Sequence, residues 1–384
     1  MLKKARKERI VWLDLMITLV TLELMSYFYY GMRTVVLGGV CVAFSLAAEL
    51  ASLRLMHRKF SADDLTCTSD ALIIALMMPA VMDYRIAAIA SVFAVVAAKN
   101  IFGGRQNMIF SPAAAAYVFV LTSWGRKLLM YTAPHVKTGI FDDPEGLTGS
   151  ASYIYNTTGK MDYTDFEILL GNFTGPAGAV SILLLVIAAV MLMLRRDISA
   201  GAFIGSVAGT VLFAAVTPIA GTRSDSVKYT LVTNMVLFAS IYIVADRRIA
   251  PKRDYFAFFY GFFIAVFAYI LVLTTAKENA VVIVAVLFTP AALAIKNLEK
   301  KIDLAYAESL ENEAQAVQEP APGPEVPEEK GELTDDGELP DPEETVSEMI
   351  EELTAEVPET ELPSTDEVPG EEAEEDEWPQ KFSV

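Results

Sequence analysis

Long uncharged blocks recur along the first three-quarters of the chain. Ile86–Ala98, Met108–Gly125, Ala177–Leu194, Tyr229–Ala245, Tyr255–Ala276 and Ala280–Ile295 contain no Asp, Glu, Lys or Arg. A helix on the surface of a soluble protein keeps a polar stripe along one side, and whole turns here have none. A membrane-spanning helix needs about 20 mostly apolar residues, and several blocks reach or approach that length. The pattern predicts ten spans: Ile10–Tyr30, Thr34–Leu53, Ser69–Met82, Ile86–Ala98, Pro112–Trp124, Ala177–Leu194, Ile198–Ile219, Tyr229–Ala245, Tyr255–Thr275 and Ala280–Ile295. The third is short and carries Pro79 near its end, which suits a half-helix or re-entrant segment. The fold class expected is all-α, a polytopic membrane protein of two related five-helix halves. The halves are residues 10–124 and 177–297, within a membrane domain of residues 1–301.

Residues 125–176 form the one long polar gap, with five spans on either side. Orientation follows from basic residues. With the N-terminus inside, most Lys and Arg of residues 1–301 fall in inner connections such as Arg195-Arg196 and Arg247–Arg253. That puts both termini in the cytoplasm of a bacterial cell and the loop 125–176 outside its inner membrane. The basic N-terminus precedes an apolar run too long for a signal peptide core, with no small-residue cleavage site, so an uncleaved first span is expected.

Charge then separates a tail from this body. The net charge of −19 belongs almost wholly to Ile302–Val384, which holds 29 acidic and two basic residues. The body before it carries 28 basic and 20 acidic groups. Ten of 18 prolines also lie in the tail, and its few apolar residues cannot offset ordering entropy. Residues 302–384 are therefore expected to be disordered and cytoplasmic, with Trp378–Val384 as a docking peptide or a plain end. Two cysteines, Cys41 and Cys67, and two histidines, His57 and His135, supply no iron–sulfur, zinc or paired haem ligand pattern. An electron carrier in this chain would have to be organic or shared with another chain. Membrane lipid is an expected contact and nucleic acid is not.

Intramembrane acids are costly and point to ion pathways or to partners on neighbouring helices. Glu23 lies deepest, and Asp64 sits near the inner face; both are ion-pathway candidates. Asp246, beside Arg247-Arg248, reads as a boundary ion pair or a functional acid. The turn Gly103-Gly104 to Asn107, leading into Ser111-Pro112, exposes backbone amides ahead of a helix start. That arrangement suits anionic or carbonyl groups, or simply a tight turn at the membrane edge. Ser111 is placed to cap the following helix, with Pro112 in its first turn.

Several segments together resemble one membrane family. Phe102–Leu121 (FGGRQNMIFSPAAAAYVFVL), Asp64–Cys67 followed by Pro79, Leu169–Gly178 ending in Arg195–Ile198, and Asn234–Asp246 with Pro251-Lys252 match its motifs in order. The family comprises RnfD, a membrane component of the Rnf electron-transport complex, and NqrB, its counterpart in the sodium-pumping NADH:quinone reductase. Chain length favours the Rnf side. The resemblance implies electron transfer across the membrane coupled to Na+ or H+ movement, in a complex with other membrane, flavin and iron–sulfur subunits and without activity alone. It implies FMN joined to a hydroxyl residue by a phosphoester on the outer side, and a second, non-covalent riboflavin or FMN among the helices. In Thr148-Gly-Ser-Ala-Ser152, Ser152 stands where the family has threonine, with Thr148 and Ser150 beside it. Further cofactor-binding candidates are Gly103, Gly104, Asn107, Ser111, Asn234 and Asp246. The chain departs from the family at Ala179, where a glutamate is expected, and near Asn234, where glycines are mostly missing. Two other classes stay open: a solute transporter or channel built from the two halves, and a flavin-free structural membrane subunit.

Overall fold

The computed structural model describes residues 2–58, 61–102, 108–136 and 138–318. Fourteen α-helices are named among them: α1 Leu2–Tyr30, α2 Met32–Leu55, α3 Thr66–Met77, α4 Tyr84–Phe93, α5 Pro112–Leu128, α6 Ala151–Thr158, α7 Asp165–Leu170, α8 Ile182–Leu194, α9 Ala200–Val216, α10 Arg223–Thr233, α11 Val236–Ala239, α12 Asp254–Thr275, α13 Ala280–Leu287 and α14 Thr289–Gln318. Among the described residues the only β pairings are two isolated bridges, Tyr131 with Thr148 and Ile198 with Asp246. The fold is all-α and polytopic, and every predicted span is largely helix.

Length and composition alone qualify three segments to cross a membrane, Ile10–Tyr30, Met32–Leu55 and Asp254–Thr275. Two bent pairs raise that to five: Arg223–Thr233 with Val236–Val244, meeting at 54°, and Ala280–Leu287 with Thr289–Leu310, meeting at 48°. Continuous spans were expected at Tyr229–Ala245 and Ala280–Ile295, and both are broken. The first break falls at Asn234-Met235, where Met235 takes a left-handed backbone at φ 54°. A side chain there costs of order 1–2 kcal/mol. Glycine would adopt it freely, and this chain lacks glycine at that point.

Two stretches widen into π-helix, Ala94–Asn100 after α4 and Ser240–Val244 after α11. Such widening inserts a residue into the helix, and both runs begin among apolar residues that give no sign of it. Ser111 caps α5 as expected, its side chain accepting from the Ala114 N–H, with Pro112 in the first turn. Helix α14 corrects the expected tail boundary: it continues past residue 301 to Gln318. Alanine and leucine supply the helix propensity there, and the Arg253 guanidinium holds Asp303 at 2.7 Å. Residues 319–384 lie outside the described residues, and Trp378–Val384 with them.

Packing is tightest between α9 and α12. Gly201, Gly205 and Gly209 recur every fourth residue on α9, and each lets an α12 carbonyl approach: Asp254, Phe258 and Phe262 in turn. Gly261 on α12 returns the arrangement against the Ala202 carbonyl. Apolar side chains gain little by leaving lipid, so close backbone packing of small residues is what joins helices there.

Candidate functional site

One face of the helical body carries residues 129–181 and the short turn between α12 and α13; the opposite face carries the arginine-rich turns. The hydroxyl segment Thr148–Ser152 lies on the first of these. Tyr131 and Thr148 form an antiparallel bridge, each N–H donating to the other's carbonyl at 2.8 and 2.9 Å. Ser150 caps α6 by accepting from the Tyr153 N–H at 3.0 Å. The Ala151 N–H donates to the Thr174 carbonyl at 2.8 Å.

These bonds fix where each hydroxyl goes. Ser152 lies in the first turn of α6 and is 1% exposed. Its Oγ donates to the Thr233 carbonyl at 2.6 Å, at the C-terminal end of α10. Asn156, one turn later, donates to Asn234 Oδ1 at 2.8 Å and to the Ala276 carbonyl at 3.1 Å. Asn234 is fully buried and ends α10 just before the break at Met235. The segment and Asn234 were both cofactor-binding candidates, and α6 docks directly onto the Asn234 break. Thr148 is exposed, as are Thr157 and Thr158, which donate back into their own helix.

A flavin phosphoester does not fit Ser152 in this arrangement. The hydroxyl is buried and already bonded, and α6 would have to leave Thr233 to present it. An open groove of about 380 Å³ lies elsewhere, between α2, α4 and α5, lined by Phe44, Ile89, Val92, Phe93 and Phe119 and wholly apolar.

Sequence reasoning missed the acid closest to this segment. Glu278, between α12 and α13, is 2% exposed and accepts from the Tyr131 hydroxyl at 2.7 Å. Ser150 and the glutamate's own backbone N–H are close enough to favour its ionised form. Asn279 next to it donates to the Tyr117 hydroxyl at 3.5 Å. Burial pushes the Glu278 carboxyl above the ordinary carboxylate range, and its donors pull it part of the way back. Folding stability from Glu278 is thus fullest at acid pH and falls as pH rises through its raised value. Replacing Tyr131 by Phe removes a donor from the ionised form and should cost about 1–3 kcal/mol. The deficit should grow toward alkaline pH, which thermal melts of the detergent-solubilised protein across a pH series would measure. The signal that points to Glu278 is its position: an acid in a short turn between two long apolar runs, where little water is available to solvate it.

On the opposite face the acids pair across the chain. Arg248 grips Asp70 of α3 through Nη1 and Nη2 at 3.1 and 2.7 Å, and Asp246 through Nε at 3.0 and 2.8 Å. The expected pairing of Asp246 with a neighbouring arginine is present, and Asp70 is the partner that local reading could not supply. Lys296 donates to the Arg248 carbonyl at 2.7 Å. Glu49 of α2 is buried against Lys99 Nζ at 2.8 Å, with Asn100 donating to its other oxygen at 3.3 Å. Asp64 accepts from the Ser61 N–H at 2.8 Å, an ordinary turn contact. Glu23 is half-buried against Gly38, where an added Cβ would sit 3.1 Å from its Oε1; that oxygen is buried and has no hydrogen-bond partner among the described residues. Gly103, Gly104 and Asn107 lie outside the described residues. Among the described residues no three His, Cys, Asp or Glu gather as a metal site.

Comparison with known proteins agrees with this architecture. Residues 2–298 match the model of the NQR2, RnfD, RnfE family. Among curated proteins, the D component of the ion-translocating oxidoreductase complex of Shewanella amazonensis is 29% identical over 138 residues, covering 35% of this chain and 39% of that protein. The protein of the same name from Shewanella frigidimarina is 32% identical over 119 residues, 30% of this chain and 33% of its own length. That from Shewanella sediminis is 30% identical over 143 residues, 37% and 40% of the two lengths. These alignments span no more than about two-fifths of each relative, whereas the family match runs from α1 into the start of α14. By that match, the chain belongs to the NQR2, RnfD, RnfE family.

Proposed function

We propose that this chain is the membrane subunit of an Rnf-type complex, relaying electrons through flavin between the two membrane faces in step with Na+ or H+ movement. Family membership over residues 2–298 is the observation that carries the reading. The chain sits in the inner membrane of a bacterial cell with both termini cytoplasmic and Thr148–Ser152 outside. Further membrane, flavin and iron–sulfur subunits supply nicotinamide and cluster chemistry that this chain has no residues for. The acidic tail offers a charged surface to a further, unidentified partner. Once α6 undocks, FMN joined to the segment would supply one-electron chemistry at the outer face, and Glu23, with its buried unpartnered oxygen, is the acid assigned to the ion. A non-covalent riboflavin or FMN would be held among the helices.

Ser152 holds the family's attachment position, and attachment there requires α6 to undock from Thr233. Its burial supports a second reading, a structural subunit that carries no covalent flavin. Co-expression with a flavin transferase separates the two. The first reading expects a flavin-fluorescent band at the mass of this chain on a denaturing gel, lost in Ser152→Ala and kept in Thr148→Ala. A wild-type chain that enters its complex with no band establishes the structural reading. A band that survives Ser152→Ala and disappears in Thr148→Ala moves the attachment to the exposed hydroxyl.

A further inference from the structure

Asp14 and Asp197 meet at the face that carries the arginine turns. Asp14 lies near the start of the apolar part of α1, and Asp197 in the turn between α8 and α9. They are 2% and 6% exposed. Asp14 Oδ1 accepts from Arg195 Nη1 at 2.5 Å. Asp14 Oδ2 and Asp197 Oδ2 are both buried, and among the described residues neither has a hydrogen-bond partner. Arg195 brings the two carboxyl groups to one place, since it holds Asp14 directly and precedes Asp197 by two residues in the turn that ends α8, and Asp14 is near enough to raise the Asp197 carboxyl.

Ionised carboxylates only accept hydrogen bonds. Two of them facing each other in a dry site repel, and each leaves a buried oxygen unsatisfied. One proton cures both defects, because it converts the pair into a carboxyl donating to a carboxylate. We propose that Asp14 and Asp197 form a proton-binding site, with a single proton held between the two carboxyl groups.

The surrounding charges are consistent with this. Arg195 and Arg247 favour ionisation of Asp197, but burial and the facing Asp14 outweigh them, and the Asp197 carboxyl is pushed up to about 6. Arg247 also donates to the Ile198 carbonyl at 3.3 Å. Asp246, bridged to Ile198, is already held by Arg248 together with Asp70. Asp64, in the short turn beside α1, is occupied by the Ser61 N–H. A metal cation in place of the proton would need several more oxygen ligands, and the next groups outward are guanidiniums. The Arg195 side chain is 55% exposed, so water reaches the edge of the pair and a proton can exchange with the aqueous phase.

Stability from this site follows from the raised carboxyl. It is fully present below the ordinary carboxylate pKa and is lost as pH rises through about 6. The site stands independently of any flavin.

Difference infrared spectroscopy on the full-length protein in liposomes, stepped in pH, tests the proposal. The wild type should show a deuterium-sensitive C=O stretch of a protonated carboxyl that disappears with a midpoint near 6. That component should be missing from the difference spectra of both Asp197→Asn and Asp14→Asn. The asparagine amide can donate to the remaining carboxylate, so each variant keeps a hydrogen bond, and either one reports if the other fails to fold. Melting of the wild type should shift downward as pH rises through the same window, and the shift should flatten in Asp197→Asn. Retention of the component in both variants overturns the proposal. So does its absence from the folded wild type, or its removal by sodium at constant pH, which would mark a metal site.

Discussion

Arg248→Met should destabilise the helical body by about 3–5 kcal/mol, the usual penalty for stripping the partner from a buried charge. The guanidinium is 17% exposed and holds two carboxylates at once, Asp70 at 3% and Asp246 at 10% exposure. Removing it leaves two negative charges facing each other with little water. The arrangement joins the third helix to the turn after α11, so its loss separates elements 178 residues apart in sequence. Arg248→Lys keeps the charge but cannot fork onto both acids, and should fall between wild type and methionine. The expected result is a large drop in thermal or denaturant midpoint of the solubilised protein. Adding Asp70→Asn to Arg248→Met should recover part of it, because one unpaired charge is then gone. If Arg248→Met melts within about 0.5 kcal/mol of wild type, as a neutral surface change does, the triad contributes nothing to the fold.

What could be read from the chain and what could not divide along one line. Local periodicity is visible in a single sequence. The uncharged blocks located the helices, and Ser111-Pro112 announced the start of α5, where the cap is now seen. Asp246 beside two arginines announced an ion pair, and Arg248 supplies it. Partners that come from distant segments leave no such trace. Asp70 is one apolar-flanked acid among several until α3 brings it to Arg248, and Glu278 pairs with a tyrosine 147 positions away. Breaks inside uniformly apolar runs are equally silent. The left-handed Met235 and the widened turn at Ser240–Val244 change the path of the chain without changing the composition of the run. At the hydroxyl segment the motif residues pointed to Ser152, with Thr148 and Ser150 beside it. They did not show that the Ser152 hydroxyl turns inward, because the Thr233 carbonyl that receives it lies 81 residues on.

Gly205→Leu should prevent α9 and α12 from packing, with loss of the folded protein from membranes or a penalty above the about 1–3 kcal/mol typical of an overfilled core. A Cβ on Gly205 would lie 2.1 Å from the Phe258 carbonyl oxygen. The obstacle is backbone, so no rotamer change relieves it, and the helices must move apart. Moving apart also disturbs Gly201 and Gly209, whose added Cβ atoms would stand 2.2 and 2.8 Å from the Asp254 and Phe262 carbonyls, and Gly261 opposite. Gly205→Ala meets the same oxygen with its single carbon and should already destabilise. Gly39 on α2 is the informative contrast, since nothing lies within 4 Å of a Cβ built there. In Gly39→Ala the gain in helix propensity, up to about 1 kcal/mol, meets no steric cost. The two alanine variants should therefore shift the melting midpoint in opposite directions, Gly205→Ala down and Gly39→Ala level or up. Equal shifts would mean that the α9–α12 seam yields to a methyl group and that close approach of the two backbones is not what joins them.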